Sequence, residues 1–94
     1  MKARALVAWN LRRLRVERGV SQEALAADAA VDRAYVGGLE RQSHNPTVDL
    51  LERLSKALGA NIAEFFVVPA KGASAPKPLP AGRKTATRAK RKKS

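Results

Sequence analysis

The chain has 94 residues, no cysteine and a formal net charge of +11, which allows one small domain and excludes disulfides, thiol nucleophiles and thiolate metal ligands. The charge is unevenly placed: residues 1–68 carry ten Lys or Arg against all eight acids, a net of +2, whereas residues 69–94 carry nine bases and no acid. A basic appendage of this kind implies a polyanionic partner, and nucleic acid fits better than a membrane, since only Leu79 interrupts its Ala, Pro and charged residues with a large apolar side chain.

The apolar run Ala5–Trp9 is ended by Asn10, Arg12 and Arg13, too early for a signal-peptide core or a membrane span. A soluble, cytoplasmic and nucleoid-associated protein is therefore expected, without membrane contact. From Lys2 to Arg18 the spacing of Val7, Leu11 and Leu14 predicts a first helix, closed by Gly19. Trp9 falls between its core positions and is either peripheral packing or a contact with a partner chain.

Ser21 is placed to cap a second helix, from about Gln22 to Ala29, with Glu23 near the positive end of its dipole. A third helix, from about Arg33 to Arg41 with Asp32 as cap, follows after so few residues that the two must cross steeply and share Leu25, Ala26, Ala29, Val31, Val36 and Leu39 as core. The stretch Ser21–Arg41 thus reads as a helix-turn-helix. A polar loop then leads to Pro46 and Thr47, which open a fourth helix with the apolar stripe Leu50, Leu51, Leu54, Ala57 and Leu58, stopped by Gly59. Asn61 with Glu64 three residues later has capping-box spacing and predicts a short fifth helix bearing Ile62, Phe65 and Phe66. Folded structure is expected to fade after Val68. Residues 69–94 hold four prolines and almost nothing apolar, so a domain over 1–68 and a disordered tail over 69–94 are expected.

The run LRRLRVERGVSQEALAADAAVDRAYVGGLERQSHNPTVDLLERLSKALGANIAEFF, Leu11 to Phe66, resembles the XRE family of bacterial and phage helix-turn-helix regulators, which includes lambda repressor and Cro-like proteins. The resemblance rests on Gln22 heading the second helix, Ala26 near the crossing, Val31 after the turn, Val36 and Leu39 inside, and Glu40 followed by Arg41. It implies an all-α, five-helix DNA-binding domain that works as a homodimer on double-stranded DNA. This chain departs from the family pattern in having Ala30 in the turn, Gln42 after the Glu-Arg pair, and the adjacent pair Gly37 and Gly38.

A helical wheel at roughly 100° per residue puts Tyr35, Val36 and Leu39 on one side of the third helix and Arg33, Ala34, Gly37, Gly38 and Arg41 on the other. Arg33, at the end that family members direct at bases, is the expected base reader, and Ala34 suits a thymine methyl. Two glycines inside a helix cost on the order of 2 kcal/mol relative to alanines, which is offset if the bare backbone approaches base edges or phosphates closely, the alternative being a weak helix that the fold tolerates. Tyr35 is expected to pack with its hydroxyl near a phosphate, and Arg41 is a further phosphate candidate. Gln22, beside free helix amides, is a phosphate site that by resemblance also braces the recognition helix. Ser43, His44, Asn45 and Thr47 form a second candidate phosphate clamp. By resemblance, Arg15 and Glu40 form an internal salt bridge between the first and third helices.

Phe65, Phe66, Val67 and Val68 are a candidate dimer interface, the alternative being that both rings close the monomer core over Leu54 and Leu58. In the tail, Arg83, Lys84, Arg88, Lys90, Arg91, Lys92 and Lys93 resemble a flexible arm that binds phosphates without reading sequence. The single histidine, the lack of a paired-carboxylate or metal-ligand cluster, and the lack of a glycine-rich loop after a strand point away from an enzyme, a metal or a cofactor. A sequence-specific regulator acting on an operator is the expected function. The alternatives are an antitoxin with a toxin partner, a restriction-modification controller-type autoregulator, and a nonspecific nucleoid-associated binder.

Overall fold

The computed structural model describes residues 1–76. Its elements follow in the order α1 (Ala3–Glu17), α2 (Gln22–Ala29), α3 (Arg33–Glu40), α4 (Val48–Leu58) and a 3-10 helix at Ile62–Phe66. The all-α architecture matches the sequence, but there are four α-helices, and the expected short fifth helix is a 3-10 helix of five residues, a length at which i to i+3 bonding is common. No strand occurs among the described residues, and none of their helices is long and apolar enough to cross a membrane.

Helix ends follow local chemistry. Ser21 Oγ accepts from the Ala24 amide at 3.0 Å, Thr47 Oγ1 from the Leu50 amide at 3.0 Å, and the Asn61 side-chain oxygen from the Ala63 amide at 2.9 Å. Asp32 does occupy the cap position of α3, but its side chain makes no capping bond. Glu64 does not complete a capping box. Its carboxylate instead meets Arg13 Nη2 at 3.0 Å, a charge-assisted contact that outcompetes a neutral amide.

Thirteen buried apolar residues form one core: Val7, Leu11 and Leu14 from α1, Val20, Leu25, Ala26 and Ala29 around α2, Val36 and Leu39 from α3, Leu51, Leu54 and Leu58 from α4, and Phe65. Each fully buried leucine contributes about 1.5–3 kcal/mol, so the α4 stripe supplies a substantial part of the fold's stability. Helix α1 packs against α3 and the 3-10 helix, while α2 packs against α3 and α4. That arrangement leaves the N-terminal end of α3, Arg33 and Ala34, exposed.

Two of the departures noted in the sequence fall on left-handed backbone. Ala30 closes α2 at φ 59°, and Gln42 follows α3 at φ 66°. Gly59 takes the same conformation at the end of α4, where the missing Cβ makes it cheap. An L-residue there costs about 1–2 kcal/mol, so Ala30→Gly is expected to stabilise the fold by about 1 kcal/mol. In urea unfolding, the midpoint should rise with an unchanged slope.

Beyond the 3-10 helix, residues 67–76 contain no helix or strand. The tail positions Arg83, Lys84, Arg88, Lys90, Arg91, Lys92 and Lys93, and most of the expected disordered segment, lie outside the described residues.

Candidate nucleic-acid interface

The turn between α2 and α3 is closed by the Val31 amide donating to the Ala26 carbonyl at 2.9 Å, which the left-handed Ala30 makes possible. Ala26, Ala29, Val36 and Leu39 are buried at the joint. Burying that side of α3 turns the other outward: Arg33 and Ala34 are exposed at its N-terminal end and Arg41 just past its C-terminal end. No described residue pairs with the Arg33 guanidinium, which is free to take a partner.

The base of α3 is anchored by Glu40. Its Oε2 accepts from Arg15 Nε at 2.6 Å, and its Oε1 accepts from Arg15 Nη2 at 3.0 Å and Gln22 Nε2 at 3.1 Å, with Arg12 Nε further off at 3.4 Å. Arg15 also donates to the Val20 carbonyl at 2.8 Å. The side chains of Glu40 and Arg15 are 2% and 7% exposed. The implied Arg15–Glu40 bridge is therefore present, two-pronged and interior. The Gln22 amide is the brace between α2 and α3, and because the Glu40 charge is consumed inside the fold it does not oppose an incoming phosphate.

The glycine pair departs from the wheel. Both Gly37 and Gly38 are buried. A Cβ on Gly38 would overlap the His44 imidazole, so the space left by the missing side chain is filled by His44 and is not open to a base edge. The assignment of Gly38 as a base-reading backbone is corrected accordingly: the chain's own loop covers it. At Gly37 a Cβ would meet only Arg41 Nη1 at 3.2 Å and Gln22 Oε1 at 3.5 Å, the ends of flexible side chains. The side chains of Gln22 and Arg41 thus meet over Gly37.

His44 also stacks on Tyr35, with ring centroids 4.6 Å apart and planes inclined by 12°. Tyr35 is half-buried against the core, as its position on the wheel implies. Ser43 donates its amide to the Gly38 carbonyl at 2.8 Å, folding the loop back on α3. Ser43, Asn45 and Thr47 are exposed. The Thr47 oxygen is engaged as the cap of α4, and its hydroxyl proton remains a donor.

The candidate dimer surface is divided. Phe65 is 0% exposed and belongs to the core, so it is removed from the interface. Phe66, Val67 and Val68 are 46%, 45% and 73% exposed. Phe66 lines an open groove of about 580 Å³ with Val7, Val48 and Leu51, and Lys2 and Arg4 stand at the same groove. Asn10, which the sequence showed only as a break in an apolar run, is 0% exposed and holds this segment. Its amide lies 2.9 Å from both the Phe65 and Val67 carbonyls, and its oxygen accepts from Arg13 Nε at 3.0 Å. Only a buried Asn flanked by apolar helix positions could have flagged this role, and that signal does not name the partner.

A helix-turn-helix family model matches residues 11–65, from the second half of α1 to the buried Phe65. The chain belongs to the helix-turn-helix family. The matched span agrees to within one residue with the XRE resemblance, and the relatives are named as transcriptional regulators or control proteins. One, a hypothetical transcription factor of Neisseria meningitidis, is 38% identical over 66 residues, covering 70% of this chain and 62% of its own length. This chain therefore spans less than two thirds of that relative. Another, named as an uncharacterized HTH-type transcriptional regulator of Sinorhizobium fredii, is 42% identical over 65 residues, covering 69% of this chain and 84% of that protein. Among solved structures, the restriction-modification controller protein C.Esp1396I, a tetramer in complex with its natural 35 base-pair operator, aligns with a TM-score of 0.65 at 35% identity, covering 70% of this chain and 87% of that one.

Proposed function

We propose that this helix-turn-helix chain is a sequence-specific regulator that occupies an operator as a homodimer, with α3 in the major groove. One observation carries the reading: among the described residues, the exposed part of α3 is its N-terminal end, Arg33 and Ala34, and the side chains of Gln22 and Arg41 meet further along the same side, over Gly37. Arg33 reads a base, Ala34 accepts a thymine methyl, and Gln22, Arg41, Ser43, Asn45 and Thr47 hold phosphates. Relatives named as regulators and controllers favour this over an antitoxin bound to a toxin or a nonspecific nucleoid binder, and none of those described above is named as an enzyme.

The second copy docks through Phe66, Val67 and Val68. A two-fold pair would set its recognition helices about 34–36 Å apart, one turn of duplex. Selecting duplexes from a random library with the purified chain should return related half-sites in inverted orientation. Sedimentation at micromolar concentration should show a dimer, and a chain that stays monomeric even on the selected duplex would remove the two-fold arrangement.

The basic tail adds affinity without reading sequence. If four of its charges meet phosphates, truncation after Pro76 should lower the log-log salt slope of duplex binding by roughly 3 to 4 while leaving the selected sequence unchanged. An unchanged slope would leave the tail no part in binding.

A further inference from the structure

We infer that His44 is a positioning residue for DNA recognition: its imidazole clasps the loop between α3 and α4 onto the recognition helix, and Gly38 is the glycine that makes room for it. The inference rests on the proposed role of α3 and its following loop in DNA binding. It begins from an unfavourable choice, since a glycine inside a helix sacrifices helix propensity and a second one beside it doubles the loss. The two glycines have different surroundings. A Cβ at Gly37 would meet only the movable ends of Arg41 and Gln22, whereas a Cβ at Gly38 would overlap the His44 ring itself.

Three further features press the same ring into place. Tyr35, one turn back along α3, stacks on it in near-parallel geometry, with planes 12° apart. The Ser43 amide bonds the Gly38 carbonyl at 2.8 Å, next to the ring it helps to seat. Gln42 takes a left-handed φ of 66°, which reverses the chain so that His44 comes back over the helix it has just left. Together these join Arg33, on the base-facing end of α3, to Ser43, Asn45 and Thr47 as parts of one block. The loop donors are then ordered before DNA arrives, and binding does not bear the cost of ordering them.

The test has two readouts. In the free chain, the His44 ring protons should be shifted upfield by the Tyr35 ring in the NMR spectrum, and Gly38→Ala should abolish that shift. On a duplex selected from a random library by the wild-type chain, Gly38→Ala and His44→Ala should each weaken binding by about fivefold to tenfold, the order expected when one or two side chains must be ordered on binding. The double variant should bind no more weakly than His44→Ala alone, because the added methyl then has no ring to displace. The double variant also keeps the test valid if Gly38→Ala alone folds poorly.

Unshifted ring protons would overturn the clasp, and single variants with wild-type affinity would overturn its role in recognition. A loss from Gly38→Ala that persists undiminished in the His44→Ala background would mean that the glycine itself faces DNA, which overturns the inference as well. If the wild-type chain selects no duplex, the DNA reading fails, and the ring shifts, measured without DNA, distinguish that failure from a failure of the clasp.

Discussion

Replacing Glu40 with Ala is expected to lower the stability of the fold by about 3–5 kcal/mol, the cost of stranding the other half of a buried ion pair. Four donors converge on this carboxylate, two from Arg15 and one each from Gln22 and Arg12. With the carboxylate gone, the Arg15 guanidinium, 7% exposed, keeps only the Val20 carbonyl as a partner. A domain of this size has roughly 5–15 kcal/mol in total, so the variant should be close to the threshold of folding. The thermal midpoint should fall by more than about 10 °C. Arg12→Ala provides the contrast: its side chain is 39% exposed and its contact is the longest at 3.4 Å, so its loss should cost no more than about 1 kcal/mol. Equal losses for the two variants would show that the interior geometry around Glu40 is not what carries the stability. Because Gln22 leans on the same carboxylate, DNA binding by Glu40→Ala is to be measured only where the variant is folded.

Much of the architecture was legible because it is local. The bounds of α2, Gln22–Ala29, follow from the Ser21 cap and the small residues at the turn, and the end of α4 follows from Gly59. The Arg15–Glu40 bridge was accessible through family resemblance alone, since spacing does not show that residues 25 apart in sequence meet. What stayed hidden depends on contacts between distant segments. A helical wheel treats the whole polar side of α3 as open, but Gly38 is covered by an imidazole that arrives from beyond a left-handed turn. Phe65 and Phe66 are equivalent as composition. Which ring enters the core depends on a 3-10 helix, whose three-residue turn faces side chains differently from an α-helix. Asn10 is buried because carbonyls 55 and 57 residues away need its amide.

The network around Glu40 and the surface around Arg33 divide the labour of α3. Glu40, Arg15 and Gln22 fix the helix from behind, so its outer side can vary in sequence without loss of fold. Arg33 is exposed and bonds to no described residue, so Arg33→Ala should leave the free energy of unfolding within about 0.5 kcal/mol of wild type. Its effect should appear on DNA instead. A bidentate arginine contact to guanine discriminates by about 1–3 kcal/mol, so affinity for the selected duplex should fall about 5-fold to 150-fold. Affinity for unrelated duplex should fall much less, because there the lost charge is one phosphate contact among many. Arg33→Lys separates charge from geometry: an ammonium keeps the charge but not the planar fork, so most of the lost discrimination should remain lost. A fall of equal size on selected and unrelated duplex would reassign Arg33 to the phosphate backbone and leave Ala34 as the one other exposed position on α3 among the described residues.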